Sequence, residues 1–288
     1  MAAVRSAPAM PRVSIGWVLE QPAMRRLIVR TFAAGLAVFI GLPLLTLVLW
    51  SFAGQWFWPS LIPAEWSTKW WERVFANPRV VDAMVRSFTI APVVTVLTAV
   101  ISIPAGYAFA RLNVPFRKVL LLLFLIPNAF PRIGIYVSLA VLYYQLQLID
   151  TFWGVVFLHM IGTLVYMTWI TTATFRSISP YLEEAARDAG ASPVRAFFAV
   201  VLPLAVPGII VASLFTFLAS LDESQGTLIV GTPHNITMPV LMYTLISSFE
   251  RPIAAVFSVL LTLPSLVLLF AAQKYLRSEY VAAGLGRM

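Results

Sequence analysis

The sequence predicts an all-α membrane protein that crosses the bilayer six times. Three observations lead there. Hydrophobic residues make up 60% of the 288 and charged residues 11%, with a mean hydropathy of +0.87. A soluble domain of this length needs a more polar surface. Six apolar runs each reach the roughly 20 residues that a helix needs to span the hydrocarbon. Lysine and arginine are distributed unevenly between alternate connecting segments, as the topology of a membrane protein requires.

The six runs cover 31–52, 87–110, 119–145, 154–175, 208–230 and 252–274. The first follows a basic segment ending at Arg30. At about 22 residues it exceeds the roughly 7–15 apolar residues of a cleaved signal peptide, so it reads as a retained helix. The chain divides into a tail (1–30), a membrane domain (31–278) and a second tail (279–288), with a long loop at 176–207. Pro43, Pro92, Pro104, Pro127, Pro131 and Pro264 punctuate the runs. Each removes a backbone hydrogen bond whose partner must then be satisfied by protein or water.

Six spans place both termini on one side. The segments on that side carry 14 of the 20 lysines and arginines, and the opposite side carries 5: Lys69, Arg73, Arg79, Arg86 and Arg251. Arg132 alone lies within a span. The imbalance predicts that both termini and the 176–207 loop are cytoplasmic. It also accounts for the net charge of +8 through topology and anionic lipid, without nucleic acid. Six of the nine tryptophans fall between Trp50 and Trp71. There the pattern predicts a short amphipathic helix on the outer surface, with Trp66, Trp70 and Val74 on one face.

The loop has its own punctuation. Ser179-Pro180 predicts an N-cap followed by a helix, and Gly190 a C-terminal stop. Ser192-Pro193 then starts a second helix. Glu183 and Glu184 lie near the positive end of the first. Ala185, Ala186 and Ala189 keep its surface slim enough to enter a cleft. Taken alone, these features fit an ordinary solvated loop as well.

The spacing adds more. Glu184-Ala185-Ala186, three residues, Gly190, nine residues, then Val200, Leu202 and Pro203 resembles the EAA-x3-G-x9-I-x-L-P signature of ABC importer permeases. Only Val200 departs from it. The resemblance covers about 85–275 and implies a type I (MetI-like) permease fold with a cytoplasmic coupling helix. It also implies a multi-pass subunit of a bacterial inner membrane. The implied partners are a second permease, in a heterodimer, two ATP-binding subunits and an extracytoplasmic substrate-binding protein. In that family the loop docks into the ATPase, which assigns coupling to Glu183, Glu184, Ala185, Ala186, Gly190, Leu202 and Pro203.

The residues agree that the chain is a transport subunit and not an enzyme. A P-loop needs a lysine followed by serine or threonine, but Lys69, Lys118 and Lys274 precede Trp, Val and Tyr. There is no cysteine, which removes disulfide, thiol and zinc–thiolate chemistry. No cofactor is expected. His159, in mid-span, is expected to be buried and hydrogen-bonded, and His234, in an outer loop, to be solvated. Asn235-Ile236-Thr237 matches the glycosylation pattern, without meaning in a bacterium.

The translocation path is assigned to Asp222, Glu223 and Arg132. A carboxylate within a span costs about 2.5–3.5 kcal/mol on insertion scales and so faces a cavity or a partner. The segment SLDESQGTLIVG, followed by TPHNITMPVLMY, is similar to that of the spermidine/putrescine branch of these permeases, and lacks the Trp-Asn pair of the maltose branch. This points to a polyamine, opine or aminoalkylphosphonate-like solute, with a sugar as the alternative. Arg132 and Asp222 both lie roughly 21 Å into their spans at about 1.5 Å per residue. They are expected to share a layer and either pair or, through Arg132, meet an anionic group of the solute. A secondary transporter without an ATPase is the competing class, and the EAA spacing argues against it.

Overall fold

The computed structural model describes residues 22–57, 59–246 and 251–276. Helix α1 (Pro22–Ser51) begins ahead of its apolar run, so Arg25, Arg26 and Arg30 lie on its first turns. The rest of the N-terminal tail and the 279–288 tail lie outside the described residues. Two short strands follow, β1 (Ala53–Gln55) and β2 (Glu65–Trp66), paired antiparallel. Helix α2 (Lys69–Phe75) is the expected amphipathic helix, but Trp66 belongs to β2 and not to its face. The helix starts only after Thr68. Trp70 Nε1 donates to Ala53 O at 2.7 Å, and Trp70 and Val74 are buried against Val80, Ala83, Leu241 and Phe257. The segment is therefore fastened to the bundle as well as to its surface.

The remaining helices are α3 (Pro78–Arg111), α4 (Arg117–Leu123), α5 (Ile126–Ala129), α6 (Arg132–Gln145), α7 (Phe152–Ser177), α8 (Pro180–Asp188), α9 (Pro193–Ala196), α10 (Leu202–Leu221), α11 (Gln225–Val230), α12 (Met238–Ile246) and α13 (Arg251–Leu276). Five stretches of the described residues are helical, long and apolar enough to cross a membrane: 22–51, 78–111, 152–177, 193–221 and 252–271. The run expected at 119–145 consists of three pieces, α4 to α6. Its breaks fall at Phe124–Leu125, just ahead of Pro127, and at Phe130–Pro131, where Phe130 is extended, as a residue preceding proline prefers.

A π-helical turn (Phe197–Val201) joins α9 to α10. Pro203 follows one residue after it and has no N–H to give to the turn before it. The run expected at 208–230 thus begins early, at Pro193, and breaks after Leu221.

Helix α7 is the central element, packed against both α3 and α10. Its threonines return their hydroxyls to their own backbone, Thr171 to Met167 O and Thr172 to Thr168 O, both at 2.6 Å. Thr168 also donates to Ser102 on α3 at 2.9 Å. The helices approach closely where glycine faces threonine. A Cβ on Gly106 would lie 2.4 Å from Thr171 Oγ1, and one on Gly208 would lie 2.1 Å from Thr174 Oγ1. Such close approach of backbones is how helices associate in a solvent as apolar as their own side chains. By contrast α1 is exposed along most of its length, with Phe32, Phe39 and Leu45 outward, as suits a helix whose solvent is lipid.

Replacing Gly106 with Val should push α3 off α7. Overpacking of this kind costs about 1–3 kcal/mol, so the detergent-solubilised variant is expected to melt several degrees below the parent chain. An unchanged melting temperature would show that the contact is soft.

Candidate functional site: a loop platform and a polar layer

Helix α8 and the start of α9 form a platform at one end of the bundle. Ser179 occupies the N-cap position in extended geometry but makes no side-chain cap bond, whereas Ser192 caps α9 by accepting from Arg195 N at 3.3 Å. Gly190 stands at φ +91°. Its N–H donates to Arg187 O at 2.9 Å, and Ala191 N donates to Ala186 O at 3.0 Å. This double bond pattern is the Schellman stop, whose C′ residue takes the left-handed conformation that glycine adopts without strain. Glu184 and Ala185 are exposed and Ala186 is half-buried. Tyr181, Leu182, Val194 and Phe198 are also exposed here, leaving apolar surface on a loop of high polarity. Leu202 and Pro203 open α10, with Leu202 partly buried and Pro203 exposed.

Glu183 turns inward instead. Its Oε1 accepts from the Tyr107 hydroxyl at 2.6 Å, and its Oε2 lies 4.0 Å from Arg111 Nε. Arg111 Nη2 donates to Ile178 O at 2.5 Å. The Tyr107 ring packs edge-on against Phe175 and Phe197, with centroids at 5.7 and 4.9 Å. Tyr107 and Arg111 were not singled out by the sequence. Their only trace there is an i, i+4 relation at the end of a span.

The second region is a polar layer within the bundle. Glu223 is buried and makes three contacts. Its Oε2 accepts from the Tyr136 hydroxyl at 2.8 Å and lies 3.8 Å from Arg132 Nη1, and its Oε1 accepts from Gly226 N at 2.8 Å. Arg132 Nη2 donates to Asn128 Oδ1 at 2.7 Å, and Asn128 Nδ2 to Gly162 O at 3.3 Å. The expected pairing of Arg132 with Asp222 is replaced by one with Glu223. Helix α10 ends at Leu221 and Asp222 caps it. The two carboxylates therefore lie in a turn rather than 100° apart on a helix, and Glu223 is the one carried inward. Asp222 is exposed, and Arg132 keeps 41% of its side chain exposed.

His159 is buried and bonded as expected. Its two ring nitrogens lie 2.8 Å from Ser220 Oγ and 2.7 Å from Thr227 Oγ1, tying α7 to both sides of the α10–α11 break. His234 is exposed but not merely solvated. Its Nδ1 lies 2.6 Å from Asp150 Oδ2, and the backbone N–H groups of His234 and Asn235 donate to Asp150 Oδ1. Burial pushes the Asp150 carboxyl up, but these hydrogen bonds outweigh it and hold it below its ordinary range. Such a group contributes stability above the unfolded-state value and loses it as pH falls through the folded-state value.

Residues 102–281, more than half of the chain, match the family model described as "Binding-protein-dependent transport system inner membrane component". The chain belongs to this family. The permease is 29% identical over 220 residues to the trehalose transport system permease protein SugB of Mycobacterium tuberculosis, covering 75% of this chain and 80% of that protein. It is 25% identical over 242 residues to the spermidine/putrescine transport system permease protein PotC of Haemophilus influenzae, covering 84% and 93%. A chain of a bacterial ABC transporter that imports alginate superposes with a TM-score of 0.71 at 17% identity, covering 88% of the permease and 98% of that chain. This likeness shows the fold. The permease is thus an inner-membrane subunit of a binding-protein-dependent ABC importer and not an enzyme. Sugar permeases stand beside the polyamine branch among its relatives.

Glu223→Leu would orphan the Tyr136 hydroxyl and the Gly226 N–H, each at about 1–3 kcal/mol, whereas Glu223→Gln keeps an acceptor oxygen for Gly226 N and an amide N–H that can donate to the Tyr136 oxygen. In thermal melts of the purified permease, the leucine variant is expected to fall well below the glutamine variant. Equal melting would remove Glu223 from the support of the break.

Proposed function

We propose that the permease imports a small hydrophilic solute by alternating access, with residues 180–203 as the docking platform for one of two ATP-hydrolysing subunits. The loop faces the cytoplasm together with both termini, and a second, different permease chain completes the pathway. The observation that carries this reading is the exposed α8 helix ending on the left-handed Gly190, within the matched region. Its spacing holds Glu184 and Ala185 outward, with Ala186 half-buried, while Glu183 is bound to α3. A slim, rigid knob is suited to passing on rigid-body motion.

For the solute, the exposed guanidinium of Arg132 favours an anionic group beside it, and the exposed Asp222 leaves room for a cationic group of the same zwitterion rather than for a polycation. Glu223, the buried carboxylate, already accepts from Tyr136 and Gly226 and lies beside Arg132. Arg132 keeps a large part of its guanidinium side exposed and would repel a diamine by direct charge repulsion in a poorly screened site. Within the classes read from the sequence this selects an opine- or aminoalkylphosphonate-like solute over a polyamine. A neutral sugar is the second reading, favoured by the similarity to sugar permeases.

Any residue with a Cβ at Gly190 is strained by about 1–2 kcal/mol in the left-handed region. Gly190→Val is therefore expected to reduce recovery of the ATPase subunit in a pull-down of the complex, and import with it. Undiminished recovery and import would count against the docking platform.

Arg132→Gln removes the exposed cation while leaving a hydrogen-bond donor for Asn128. In cells expressing the complete transporter, uptake of radiolabelled 2-aminoethylphosphonate and of an opine is expected to fall relative to that of a labelled disaccharide. An unchanged ratio with normal assembly would remove Arg132 from solute selection.

A further inference from the structure

Among the described residues, one side chain of the loop platform is bonded to the bundle, and its partners lie on a helix packed against two others. Glu183 is on α8. Tyr107 and Arg111 stand one turn apart on α3 and so share a face. Helix α3 packs on both α7 and α10, and at Gly106, adjacent to Tyr107, its backbone closely approaches Thr171 of α7. The Tyr107 ring is held between Phe175 of α7 and Phe197 of the π turn. A force on Glu183 therefore arrives at a point where three elements are already packed rigidly together.

The Arg111 contact is incomplete. Its Nε is buried and has no hydrogen-bond partner, and the nearest carboxylate oxygen, Glu183 Oε2, is 4.0 Å away. An orphaned buried donor is costly. A displacement of the loop by about 1 Å would bring the pair to the roughly 2.9 Å of an ordinary hydrogen bond. In the arrangement seen only the tyrosine bond is made, and a small inward shift of the loop would make both.

We propose that Tyr107 and Arg111 are positioning residues that clamp Glu183, and that closing this clamp delivers the motion of the docked loop to α3 and through it to the opposite end of the bundle. This rests on the reading of residues 180–203 as the docking platform. Tyr107 carries the permanent link through its hydroxyl. Arg111 supplies the second bond when the loop moves inward, and the charge-assisted character of that bond makes the closed arrangement the stronger one.

The absence of cysteine from the chain permits a direct test in the intact complex with its ATPase and binding protein. A nitroxide on Asp188→Cys reports engagement of the loop through its mobility. In a second preparation, nitroxides on Val81→Cys and Tyr144→Cys report the distance between α3 and α6 at the opposite end. The probes added are MgATP and orthovanadate.

In the parent chain both reports should respond. With Tyr107→Phe, which keeps the ring packing, the Asp188 label should still respond, while the fraction of molecules showing the distance change falls about tenfold, the effect of losing one charge-assisted hydrogen bond. Glu183→Gln, which keeps an acceptor for Tyr107 but no charge for Arg111 to close on, should lose the distance change to about the same extent, and the double variant should be no worse than either single variant. A full distance change in Tyr107→Phe, or additive losses in the double variant, would overturn the clamp. Failure of Tyr107→Phe to assemble would also overturn it, since its role would then be structural. No response of the Asp188 label in the parent chain would instead overturn the docking platform itself.

Discussion

Within the hydrocarbon core no water reaches the backbone, so every N–H and C=O must find its partner inside the protein. The architecture of this permease follows from that constraint. Its long helices satisfy themselves. Where the chain departs from helix, a polar side chain closes the gap. Glu223 accepts from Gly226 N at the start of α11, and His159 bridges Ser220 and Thr227 across the same break. On the facing side Asn128 donates to Gly162 O and holds Arg132, just beyond the second proline of the α4–α6 segment. The two breaks meet at Arg132, Tyr136 and Glu223. Irregular backbone in a membrane is tolerated where it is buried in protein or lines a cavity, which places this layer among the parts of the bundle open to function.

A division of labour follows between the two carboxylates after α10 and between the two that precede the alanine pair. Glu223 and Glu183 are held by tyrosine hydroxyls and by nearby arginines. Asp222 and Glu184 are exposed. In each pair the held member fixes the backbone, so that its neighbour is presented outward at a defined place. Buried ion pairs contribute little net stability when desolvation is included. Their value here lies in geometry, because removing one partner would leave a buried polar group unanswered.

The cytoplasmic reading of the loop and the fold of the bundle also fit each other. The close approaches at Gly106 and Gly208 bind α3, α7 and α10 into one body next to the platform. At the other end of these helices, Asp150 gathers the N–H groups of His234 and Asn235, and Arg86 Nη1 donates to Asn235 at 2.5 Å. The bundle is thus fastened at both ends and more polar in its middle, a distribution suited to rocking of packed helices as units.

The class of the protein, the runs that build the bundle, the loop ending at Gly190 and the family signature within it are all legible in the amino-acid order. These are local properties. Hydropathy, proline and glycine act over a few residues, and an unbroken pattern such as the one from Glu184 to Pro203 survives being read in one dimension. Folding in three dimensions puts Trp66 in a strand, splits the 119–145 run into three helices and brings Arg132 to Glu223 instead of Asp222. It also carries Glu183 to Tyr107, 76 residues away, and to Arg111. Such contacts depend on where one helix ends and how two helices are rotated about their axes. A shift of one residue turns a side chain by about 100°, so depth along a span places residues in a layer without choosing which of them touch.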